Sequence, residues 1–67
     1  MVAVGVRDRL YGGFMMLAYL AEMDFACIYA MRRPRLARKC ALEALKVSVE
    51  MGRPDLSYRA RDLLAVL

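Results

Sequence analysis

The 67 residues contain no histidine, asparagine, glutamine, threonine or tryptophan, and the only small hydroxyls are Ser48 and Ser57. Each absence removes a class of function. General acid–base catalysis most often runs through histidine, and a serine nucleophile needs a base beside it. With only carboxylates and lysines to recruit, the chain is poorly equipped for catalysis, and no enzyme is expected. Two cysteines without histidine cannot complete a four-ligand zinc site within one chain, so neither metal nor cofactor is expected. Asparagine and glutamine are the usual readers of adenine. Any contact with nucleic acid would therefore be weakly sequence-selective.

What is present is apolar side chain, at 61% of residues, well above the ~45–50% typical of a globular chain. Chains under about 70–80 residues rarely gain more than ~3–5 kcal/mol from one core. One domain at most is expected. The excess concentrates in residues 10–31, LYGGFMMLAYLAEMDFACIYAM, where the only charges are Glu22 and Asp24. This is more apolar surface than one copy of such a chain can cover.

Arg7 and Arg9 ahead of that run imitate the start of a secretory signal. A cut after Ala21, however, would put Tyr19 at the minus-three position, and a lipoprotein cut before Cys27 would need an aliphatic residue where Asp24 stands. Together with two unpatterned cysteines this gives an expectation of cytoplasmic location with reduced thiols. As a membrane span the segment would carry Glu22 and Asp24 near its centre, each costing ~2.5–3.5 kcal/mol. That weighs against insertion of a lone helix, although a packed oligomer would mask the cost.

Turn signals divide the chain into three helices, about 7–31, 34–51 and 55–67. Gly52 supplies a left-handed residue after the second helix, and Pro54 stops it. Pro34 displaces Arg33 from helical geometry and suits a first-turn position, which ends the first helix near Arg32. Asp55 or Ser57 is the expected cap of the third. Only MVAVGV at the N-terminus alternates like a strand, and it is short. The expected fold is all-α: a helical hairpin plus a C-terminal helix, forming a dimeric bundle.

The second helix has a charged side, Arg35, Lys39, Glu43, Lys46 and Glu50, offering Lys39 with Glu43 and Lys46 with Glu50 as i,i+4 pairs. Opposite runs a column of small residues, Ala37, Ala41, Ala44 and Ser48, flanked by Leu42, Leu45 and Val49. The third helix carries Leu56, Ala60, Leu63 and Leu67 on one stripe. Residues 41–67 resemble the helix–turn–helix of tetratricopeptide repeats over less than half of the chain; the hallmark aromatic and proline positions are not matched and the first helix is too long for the unit, so nothing is carried over from that family.

The first helix is apolar on two sides. Met16, Leu20, Met23 and Cys27 form one seam, and Phe14, Ala18, Ala21, Phe25 and Tyr29 a second, with Glu22 and Asp24 about 100° to either side of Met23. Helices 2 and 3 are expected to cover the first seam, and a second copy or another helical protein the second. Cys27 and Cys40 flank the turn symmetrically and are expected to be small buried packing residues, not a bridge.

The densest local charge is RRPRLARK, residues 32–39. Arg32, Arg33, Arg35, Arg38 and Lys39 could contact phosphates, or serve the end of the first helix and solubility. The expected function is interaction: a non-enzymatic adaptor, assembly or regulatory module acting as a homo-oligomer or as a subunit of a complex through Phe14, Ala18, Ala21, Phe25 and Tyr29. The alternatives are a dimeric nucleic-acid-associated regulator using the five basic residues, or a small membrane-bound protein with those charges on the cytoplasmic side.

Overall fold

A computed structural model describes the backbone of residues 2–67 and the side chains of residues 13–67. Three helices follow one another: α1 (Val2–Tyr29), α2 (Pro34–Glu50) and α3 (Pro54–Val66), with no strand among the described residues. The expected all-α order holds, with three shifts at the boundaries. α1 begins near the chain start instead of at residue 7, so the alternating MVAVGV is helical from Val2 onward. It ends at Tyr29, and the turn at residues 30–33 closes with the Arg33 amide donating to the Tyr29 carbonyl at 2.8 Å. α3 starts at Pro54, with Arg53 as its cap residue in place of Asp55 or Ser57. In both α2 and α3 a proline takes the first helical position, where no N–H is needed.

α2 ends as the Gly52 signal indicates. Gly52 has φ +67°, its amide donates to Val49 at 3.0 Å, and the Arg53 amide reaches back to Ser48 at 3.0 Å. These two bonds satisfy carbonyls that the end of the helix would leave free.

The core is built on the small column of α2. Ala37, Ala41, Ala44 and Ser48 are all fully buried, so the neighbouring backbones approach closely. α1 and α3 both pack on α2, and Leu56, Ser57 and Ala60 are the buried positions of α3. Of the expected flanking residues, Leu45 is half-buried, whereas Leu42 and Val49 face outward.

α1 is rotated relative to the sequence expectation. Its inner face is Met16, Tyr19, Met23 and Ala26; Leu20 and Cys27 are exposed. The expected and the observed inner faces share Met16 and Met23, and the polar tip of Tyr19 decides between them. Tyr19 is 2% exposed, and its hydroxyl donates to the Leu56 carbonyl at 2.9 Å. A buried phenol needs such a partner, and here the bond ties α1 to α3. Ala26, fully buried, lets α2 approach where a larger residue would hold it off.

Candidate functional site

The rotation leaves a broad apolar face of α1 uncovered by the chain. Phe14 (69% exposed), Leu17 (64%) and Ile28 (68%) lie along it, and Met31, in the turn just after α1, is 94% exposed. Of the five residues expected at the interface, Phe14, Ala18, Ala21 and Phe25 are exposed. Tyr29 is half-buried at the edge of the face, its ring stacked on Phe25 with centroids 6.2 Å apart. The centre of the face is Leu17, Ala21 and Ile28, so Leu17 and Ile28 are the residues the sequence expectation missed. Their signal was present: positions 14, 17, 21, 24, 28 and 31 alternate steps of three and four, a heptad seam interrupted only by Asp24.

The five basic residues also lie on the surface. Arg32, Arg33, Arg35, Arg38 and Lys39 are all exposed. The expected Lys39–Glu43 and Lys46–Glu50 pairs do not form: among the described residues the ion pair present is Arg53 with Asp55, at 2.9 Å. All four side chains are exposed, and such pairs in water gain too little to hold two long side chains in one geometry. The cluster is further uncompensated because the first turn of α2 holds no acidic residue and its cap makes no side-chain bond. Positive charge at a helix N-terminus runs against the macrodipole.

The remaining polar groups serve the fold. Ser48 donates to the Leu45 carbonyl at 2.6 Å, Ser57 to the Arg53 carbonyl at 3.2 Å, and the two hydroxyls lie 2.7 Å apart. Two protons among three contacts hold the α2–α3 turn together. Burial pushes the Tyr19 phenol above its ordinary value, an effect that nearby Arg59 opposes and Asp55 reinforces. Desolvation and then the Glu22 carboxylate push up the Cys40 thiol. Cys40 is thus half-buried beside Glu22 while Cys27 is exposed, which corrects the expectation of two buried cysteines; both are free thiols. The Arg53 guanidinium, bonded to both carboxylate oxygens of Asp55 at 3.1 and 2.9 Å, holds that carboxyl below its usual range.

Among the described residues no helix is long and apolar enough to cross a membrane, and no group of three potential metal ligands comes together. Compared with protein-family models, curated proteins and solved structures, the chain finds no match.

Proposed function

We propose that this protein is a non-enzymatic helical interaction module, working as a homodimer or as a subunit of a larger assembly, with the outer face of α1 as its contact surface. The observation that carries the reading is the row Phe14, Leu17 and Ile28, each roughly two-thirds exposed along one side of a helix. Contiguous apolar patches of this kind mark interaction sites in soluble proteins. The fold can present the row because the inner face of α1 is already anchored through Tyr19 and the small column of α2. Ala21→Glu places a charge in the middle of the face without touching the inner core. The variant is expected to keep its helical circular dichroism and elute as a monomer, since burying an unpaired charge is costly. Unchanged association would place the contact elsewhere.

A second reading is favoured by the exposed, unpaired cluster Arg32, Arg33, Arg35, Arg38 and Lys39: contact with nucleic-acid phosphates. Such binding releases counterions and weakens steeply with salt. Retention on random-sequence duplex should fall linearly on a log–log plot against salt concentration. No retention at low ionic strength would remove the reading.

A further inference from the structure

We infer that the occupant of α1's outer face is a second copy of this chain, laid antiparallel so that residue i of one copy stands at the height of residue 45 − i of the other. This rests on the proposed reading of that face as an interface and adds the partner, its direction and its register. The argument begins with how the exposed side chains are spaced. Among the described residues, the large apolar side chains exposed on α1 and in the turn after it are Phe14, Leu17, Leu20, Phe25, Ile28 and Met31. They fall into three pairs whose positions add to 45: Phe14 with Met31, Leu17 with Ile28, Leu20 with Phe25. Reversing the stretch 14–31 about the point between Glu22 and Met23 therefore maps these six positions onto one another. A two-fold axis brings the same patch of both copies together, and this spacing sets the large side chains of the two copies at matching heights.

Between residues 14 and 31 the remaining seam pair is Ala21 with Asp24, so the charge in this stretch of the seam meets its smallest side chain. Asp24 lies about 40° to one side of Ile28 around the helix, and beside Ala21 its carboxylate has room to turn to the flank and stay hydrated. A parallel two-fold dimer must instead set each residue beside itself. Asp24 would then face its own copy in the seam, and two clusters of five unpaired cations would lie side by side at one end, within the ~8–10 Å over which solution salt fails to screen them. In the antiparallel arrangement Arg33 of one copy is separated from Arg33 of the other by about 32 Å along the axis, at 1.5 Å per residue. Charge and shape select the same direction.

The area is also adequate. The six side chains are between 45% and 94% exposed. At roughly 150–200 Å² for each large side chain they present on the order of 600–750 Å², above the largest patch of a typical monomer and close to the ~800 Å² per partner of a stable interface.

A spin label at Met31→Cys, in a Cys27→Ala, Cys40→Ala background, tests the direction from the outer end of the proposed seam, in the turn beyond α1. Pulsed dipolar spectroscopy on the detergent-free protein, with its mass measured by light scattering, should give a dimer with a label separation of about 25–35 Å, since 17 residues of helix lie between the two heights. A separation under about 15 Å in a dimer would mean parallel packing and overturn the inference while leaving the interface standing. As a second readout, Leu17→Cys and Ile28→Cys chains in the same background are mixed and oxidised. A mixed 17–28 disulfide supports the register; disulfides only between like chains, or none in a proven dimer, overturn it. A monomeric mass for the cysteine-free chain removes both the inference and the interface reading. If that monomer also co-sediments with phosphatidylserine vesicles, a lipid surface is the occupant instead of a second copy.

Discussion

α1 has two apolar faces of similar length, and only one is covered by its own chain. On the inner face Tyr19, Met23 and Ala26 lie against a column of alanines, and the hydroxyl of Tyr19 ends in a hydrogen bond to α3. On the outer face Phe14, Leu17 and Ile28 have no neighbour from their own chain to cover them. The side chains differ less than their surroundings: α2 and α3, at 17 and 13 residues, lie against one side of the described part of α1 and leave the other bare. Which side they take is decided by small residues, which permit close approach, and by one phenol that must find a carbonyl.

Substitutions that treat the two faces alike should therefore have unlike effects. The largest is expected for Ala44→Leu, which forces a side chain into the fully buried column. It should destabilise the fold by about 1–3 kcal/mol or more, read from chemical denaturation midpoints. Tyr19→Phe keeps the ring and removes the hydroxyl's bond to the Leu56 carbonyl, which α3 continues to engage, a loss of about 0.5–1.5 kcal/mol. Because the Tyr19 phenol titrates above its ordinary value of 10.0, its stabilisation is complete below that pH in the folded chain and fades as pH rises beyond it. Tyr19→Phe should accordingly flatten the alkaline part of the stability profile.

Leu17→Ser, on the outer face, is expected to change the stability of the dilute monomer by no more than about 0.5 kcal/mol while weakening association, which sedimentation would register. A loss matching that of Ala44→Leu would erase the distinction between the faces. Smallest of all is Asp55→Asn. The folded carboxyl is held below its usual range by Arg53, so its contribution is present above the ordinary carboxylate range and disappears as pH falls through the lowered value. With both side chains more than half exposed, the variant should differ slightly from the parent at neutral pH, and less still in high salt.

Much of this architecture can be read directly from residue order. Gly52 and the two prolines mark the turns, and the column Ala37, Ala41, Ala44, Ser48 and the stripe Leu56, Ala60, Leu63, Leu67 emerge from helical period alone. The phase of α1 does not. Its apolar residues run nearly all the way round, so a seam through Leu20 and Cys27 satisfies the same spacing as the true one through Tyr19 and Ala26. The resulting rotation, less than the 100° of one residue, puts Tyr19 inside and Leu17 and Ile28 outside. The Tyr19–Leu56 bond and the Ser48–Ser57 contact were illegible for another reason, since they join residues 37 and 9 positions apart that no local pattern connects.

Sedimentation equilibrium of the detergent-free chain over a hundredfold range of concentration tests the central claim most directly. If the outer face of α1 must be covered by a second molecule, the mass should rise from 7.6 kDa towards twice that value with increasing concentration and stop there. A chain that stays at 7.6 kDa and fully helical at the highest concentration would contradict it.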